Sequence, residues 1–207
     1  MPSRSSKLFF PKMKRVSQEN QAYCGPAVLV MLASFLGIQV SQKDLVTASG
    51  LEKLIFSHGM KLSELEKACR ELMPQLVFWY KREATLSELE KLVNQAKYPI
   101  GVEWQGTFDT HNPNDRFEDE DEDPGHYSVV TGISQKENWI TLADPYFNRG
   151  VDKQFTVLEF KRRWWDINKV VDQKSGKLQE IDDYQALFLL TPKDVQLSVE
   201  GLLRGDR

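Results

Sequence analysis

Between Ala27 and Leu36 the chain reads Ala-Val-Leu-Val-Met-Leu-Ala-Ser-Phe-Leu, without a single charge. A helix over this run has no polar face to turn toward water, so the run predicts a helix buried on nearly every side. Pro26 fits the first turn of such a helix, where its missing N–H is not needed. Gly37 is a natural C-terminal stop. An element this apolar has to be enclosed by other layers of structure.

The surrounding sequence supplies those layers. Ser41-Gln-Lys-Asp44 resembles a capping box with Asp in the Glu position, opening a short helix to about Ala48. Lys61 to Leu72 places Leu62, Leu65, Ala68, Cys69 and Leu72 at helical spacing. Thr85 with Glu88 caps a further helix carrying Leu86, Leu89, Leu92 and Val93. Leu76–Tyr80, Ile100–Trp104, Tyr127–Ile133, Trp139–Leu142 and Ala186–Leu190 read as strands. Leu158 to Trp165 is predicted as a helix, and a hairpin is predicted around Asp172 to Gly176. Helices come mostly first and strands mostly later. This predicts an α+β fold, with a helical part packed on an antiparallel sheet.

With 207 residues, the chain suits one domain with one well-filled core. The expected core spans about 16–190, with 1–15 as an extended lead-in and 192–207 as a C-terminal tail. A net charge of −3 gives no basic footprint for nucleic acid. No run approaches the roughly 18 apolar residues of a membrane span. The apolar stretch Leu8-Phe9-Phe10 falls short of a signal peptide's apolar region of about 7–15 residues. Two cysteines, Cys24 and Cys69, form no disulfide framework and suit a reducing compartment. A cytoplasmic protein is therefore expected.

Cys24 stands directly before the apolar run, in Gln18-Glu-Asn-Gln-Ala-Tyr-Cys24-Gly25-Pro26. A helix N-terminus or a neighbouring imidazolium lowers a thiol's pKa and makes it a nucleophile. His126, in Gly125-His126-Tyr127-Ser128, opens a predicted strand, which puts its ring at a sheet edge facing the helix start. Asp144, before Pro145, ends the next strand. Neighbouring antiparallel strands would set Asp144 beside His126, where a carboxylate holds an imidazole in one tautomer. Gln18 and the Cys24 backbone N–H are the matching donors for a developing oxyanion. The combination predicts a thiol hydrolase cutting peptide bonds through a Cys24–His126–Asp144 triad and a thioester.

These blocks resemble those of the bacteriocin-processing (double-glycine leader) peptidases and their stand-alone relatives, within the papain-like superfamily. The resemblance covers roughly residues 16–190. It implies a papain-like fold with Cys24 as nucleophile, His126 as base, Asp144 as orienting carboxylate and Gln18 as oxyanion donor. It implies no cofactor. The best-known members are fused to transporters and cut leader peptides after Gly-Gly; this chain carries no transporter.

Two other functions use the same parts. An acyltransferase, of transglutaminase or phytochelatin-synthase type, would resolve the thioester with another acceptor. A non-catalytic peptide-binding module would keep the fold alone, although four intact site residues argue against it. Tyr23 and Gly25, flanking the thiol, and Trp104 and Tyr127 are candidate substrate contacts. Eight acidic residues against one Arg crowd positions 109–123. They read as a solvated loop, as an electrostatic collar attracting cationic peptides, or as a divalent-cation site. Cys69 reads as structural. His58 and His111 have no metal-ligand spacing, so no metal is expected.

Overall fold

The structure is a computed structural model that describes residues 9–105, 125–146, 152–171 and 178–205. The acidic stretch 109–123, His111 and the turn at 172–176 lie outside the described residues.

Helix α1 spans Cys24–Phe35, starting three residues earlier than the apolar run. Cys24 is therefore its first residue. Val28, Leu29, Met31 and Ala33 are fully buried. Burial is worth about 1.5–3 kcal/mol for a Val, Leu or Met side chain, so this one helix anchors much of the interior. Helix α2 spans Gln42–Ser49, with Ser41 Oγ accepting from the Asp44 N–H. A short turn of helix, α3, covers Ile55–His58, and α4 covers Leu62–Leu72. Strand β1 is Leu76–Lys81, and α5 is Leu86–Asn94 behind a complete Thr85–Glu88 capping box.

Strands then dominate: β2 Ile100–Gln105, β3 Gly125–Ser134, β4 Trp139–Ala143 and β5 Lys153–Phe155. Helix α6 covers Val157–Arg163. It is shorter than predicted at its C-terminal end, because Trp164 leaves helical geometry and Trp165 opens β6 (Trp165–Val171). Strands β7 (Leu178–Tyr184), β8 (Leu187–Pro192) and β9 (Leu203–Arg204) follow.

Seven strands form one antiparallel sheet in the order β5-β4-β3-β2-β8-β1-β9, and β6 and β7 form a separate two-stranded sheet. Alternation along β3 divides the core. Tyr127 and Val129 face a cluster built from α1, α2 and α4. Val130, with Trp104 from β2, faces a second cluster capped by Leu89 and Leu92 of α5 and Phe160 of α6. The sheet is thus covered on both faces, with α1 on one of them.

One expectation is corrected within the lead-in: residues 9–13 turn, with Met13 N–H donating to the Phe10 carbonyl at 3.0 Å. Met13 is 2% exposed in the first cluster. In the C-terminal tail, β9 pairs with β1 through Trp79 and Tyr80. Among the described residues, no helix is long and apolar enough to cross a membrane.

Candidate active site

The start of α1 meets the start of β3. Cys24, at the first position of α1, lies where backbone N–H groups have no intrahelical partner and favour negative charge. Its thiol is hydrogen-bonded to the His126 side chain and receives backbone N–H groups from Tyr127 and Gly25.

His126 is the second residue of β3, which lies between β2 and β4. The expected sheet edge is therefore corrected to the end of an interior strand. Antiparallel pairing of Val129 with Ala143 brings the residue after β4, Asp144, alongside. His126 Nε2 lies 3.1 Å from each Asp144 carboxylate oxygen. With Nε2 committed to Asp144, Nδ1 is left for the sulfur.

The carboxylate is held by more than the imidazole. The Tyr146 N–H donates to Oδ1 at 2.8 Å. Ser128 Oγ donates to Oδ2 at 2.9 Å. Ser128 in turn accepts from Trp104 Nε1 at 3.0 Å. The Trp104 ring stands 6.4 Å from the imidazole, centroid to centroid. Cys24, His126 and Asp144 are each 6–7% exposed.

Burial alone would push the Cys24 thiol up. The hydrogen bond and positive charge of His126, with the N–H groups of Tyr127 and Gly25, outweigh it, and the pKa is lowered. Burial likewise disfavours the imidazolium, but the bonds and charges of Asp144 and Cys24 raise His126 to about 10. For Asp144 burial works upward, and His126, Tyr146 and Ser128 together bring the pKa below its ordinary value. The charge state this geometry favours is thiolate, imidazolium and carboxylate in a row. Cys69 is the opposite case: burial, then the nearby Glu66 charge, push its thiol up to about 12.

Gln18 lies in the same corner but is aimed elsewhere. Its backbone N–H donates to the Pro145 carbonyl at 3.0 Å, beside Asp144. Its Nε2 donates to the carbonyls of Asn20 (2.8 Å) and Gln21 (3.1 Å). Buried Gln42 braces the two neighbours of Gln18, accepting from Glu19 N–H and donating to the Ser17 carbonyl.

The candidate substrate contacts need correction. Trp104 is 1% exposed and packed against Phe155 and Phe160, so it is interior scaffolding. Tyr127 is 3% exposed and its ring meets Phe188 edge-on at 5.8 Å. Gly25 is buried and closely packed: a Cβ there would lie 3.3 Å from the Leu65 side chain and 3.4 Å from the Tyr127 ring. What Tyr127 and Gly25 offer the site is backbone N–H, not surface. Tyr23, the residue before α1, keeps some exposure. Sequence reasoning missed Ser128 and the Tyr146 N–H. The available signal for Ser128 was its place two residues after His126, on the same face of one strand.

A two-sided sheet with a cysteine at the start of its central helix and a histidine on an interior strand defines the papain-like cysteine peptidase fold. The chain belongs to the Peptidase C39-like family, whose sequence profile matches residues 10–172. Among solved structures it is similar to the peptidase domain of Streptococcus ComA, a bifunctional ABC transporter of a quorum-sensing pathway. That match has a TM-score of 0.54 and 19% identity, over 86% of this chain and 97% of the other. A double-glycine-motif protease from an AMS/PCAT transporter, solved with its leader peptide, matches at 0.52 and 18%, over 88% and 93%. A C39-like chain from Bacillus anthracis matches at 0.58 and 16%, over 88% and 96%. No curated protein matches the sequence.

Proposed function

We propose that this chain is a cysteine peptidase that cuts peptide bonds through a thioester on Cys24. The carrying observation is the buried line from the Cys24 thiol through His126 to Asp144, with its charges favoured by geometry. The thiolate attacks the substrate carbonyl carbon and forms the C–S bond. Collapse of the tetrahedral intermediate breaks the C–N bond, and the His126 imidazolium gives its proton to the departing amine. His126, now neutral, takes a proton from water as the water attacks the thioester. The acid product leaves and the thiolate–imidazolium pair is restored. Asp144 keeps Nε2 protonated and the ring aimed throughout.

The oxyanion is assigned to the Cys24 backbone N–H and Gln18. Gln18 would give up one of its two carbonyl partners, Asn20 or Gln21, to make that bond. The leader peptide bound to one structural relative supports a peptide as substrate. The six carboxylates from Glu118 to Asp123, so close before His126 in sequence, support a preference for cationic peptides.

The test is hydrolysis of a mixed peptide pool, followed by mass spectrometry of the products. Cleavage by the wild-type chain that disappears in Cys24→Ala supports the reading. A pool left intact by the wild type, or cut equally by Cys24→Ala, overturns it. Adding a primary amine separates the acyltransferase: peptide–amine adducts in place of free acids would assign the thioester to another acceptor.

A further inference from the structure

We propose that Ser128 is a positioning residue for the Cys24–His126 pair, acting through Asp144, and that Trp104 sets the direction in which Ser128 donates. The proposal rests on the cysteine-peptidase reading above and adds residues to its machinery.

An indole N–H only donates, a carboxylate only accepts, and a serine hydroxyl has one proton and two lone pairs. Trp104 Nε1 lies 3.0 Å from Ser128 Oγ, so it must donate to a Ser128 lone pair. Asp144 Oδ2 lies 2.9 Å from the same oxygen. The single hydroxyl proton then points at Oδ2. Trp104 and Ser128 are 0–1% exposed, so no bulk water competes for either bond.

The consequence falls on the carboxylate plane. Oδ1 is fixed by the Tyr146 N–H at 2.8 Å and Oδ2 by Ser128. Two anchors on two oxygens stop rotation of the carboxylate, and His126 Nε2 faces both oxygens at the same 3.1 Å. With Oδ2 released, Asp144 can turn about its remaining anchor and the imidazole loses its fixed partner. The strands supply the placement: Ser128 shares a face of β3 with His126, and the Val129–Ala143 pairing sets it beside Asp144.

Alkylation of the full chain by limiting iodoacetamide at pH 6.5, with labelled peptides mapped by mass, tests this without any substrate. At that pH an ordinary thiol is almost wholly protonated, so the Cys24 rate reports the ion pair. Ser128→Ala is expected to slow Cys24 about tenfold, the scale of one hydrogen bond to a charged group. Trp104→Phe is expected to slow it by about threefold, since the hydroxyl stays but is no longer aimed. Ser128→Thr keeps the proton and should stay near wild type.

In an Asp144→Asn background, Ser128→Ala should add no further loss, which a merely structural serine would not reproduce. Cys69, buried in α4, serves as the folding control: a variant that labels Cys69 has opened, and Ser128→Thr with Trp104→Phe then decides. Wild-type rates in Ser128→Ala, or the same loss with and without Asp144, overturn the proposal. If wild-type Cys24 labels no faster than Cys69, the peptidase reading fails and the proposal falls with it. If Cys24 is fast and indifferent to Ser128, only the proposal fails.

Discussion

Cys24 and Cys69 are both buried in the same cluster, yet their thiols are driven in opposite directions. Desolvation acts on each; only Cys24 has an imidazole and two N–H groups to offset it. Asp144→Asn is expected to lower kcat by about 10⁴ while leaving residual activity, with KM little changed, because nucleophile and base stay in place while tautomer and aim are lost. Steady-state kinetics against a peptide cut in a Cys24-dependent way check it, and an unchanged kcat would remove Asp144 from the mechanism. Gln18→Ala is expected to lower kcat by about 10², the scale of one oxyanion donor. If the amide only staples its own loop to Asn20 and Gln21, the melting temperature drops and kcat stays within about twofold. Cys24, His126 and Asp144 were readable from sequence because each carries a local mark: a helix start, a strand start after Gly125, an Asp-Pro stop. The partners of Asp144 were not. Ser128 and the Tyr146 N–H reach it through strand register, which includes a shift between Val130 and Gly132 that no local pattern announces. The sequence also put Trp104 and Tyr127 at the substrate, since an aromatic side chain reads the same in a core as in a cleft.

At the scale of elements, the helices were the most legible because their caps are chemical. Thr85–Glu88 was read, and Thr156–Glu159 forms an equally complete box that places the start of α6 one residue before the predicted Leu158. Strand β9 was not legible: two residues give no period, and their place in the sheet depends on β1 lying open beside them. The join before His126 is tight. A Cβ on Gly125 would lie 1.9 Å from Asp166 Oδ2, and Asp166 is held by Gln105 Nε2 at 3.1 Å. Gly125→Ala is therefore expected to push the start of β3 away from β6 and carry His126 off the thiol. Cys24-dependent hydrolysis should fall by about tenfold or more, because about 1 Å of misplacement in a reacting group is felt strongly. Full activity in Gly125→Ala would show that Asp166 yields instead.

Across the whole molecule, the first described residues are tied to the sheet by one buried cation. Arg15 donates to Asp152 at 2.8 and 3.0 Å and to the carbonyls of Phe9, Phe10 and Met13. Thr131 Oγ1 on β3 donates to the same Asp152 carboxylate. The side chains of the pair are 5% and 8% exposed, so removing one leaves the other charged and buried. Arg15→Ala is expected to destabilise the chain by about 3–5 kcal/mol. At about 2–4 °C per kcal/mol for a chain of this length, that is a drop in melting temperature of roughly 6–20 °C. Calorimetry checks it, and a change under about 2 °C would make the pair incidental. Nothing in the sequence joined Arg15 to Asp152, because a lone Arg and a lone Asp so far apart carry no pattern until the sheet brings them together.

The central claim is a nucleophile already charged by its fold. Its most direct measurement is the rate of iodoacetamide labelling at Cys24 and Cys69 from pH 5.5 to 9.5, in the wild type and in His126→Ala. A lowered Cys24 pKa carries the thiolate to lower pH than in an ordinary thiol, and a His126 pKa near 10 keeps the imidazolium beside it across that range. The wild-type Cys24 rate should therefore be faster near neutral pH than that of an ordinary thiol, with Cys69 unlabelled. His126→Ala should lose the fast rate near neutral pH. A wild-type Cys24 rate that climbs with pH as a free thiol does, with a midpoint near about 8.5, would contradict the account.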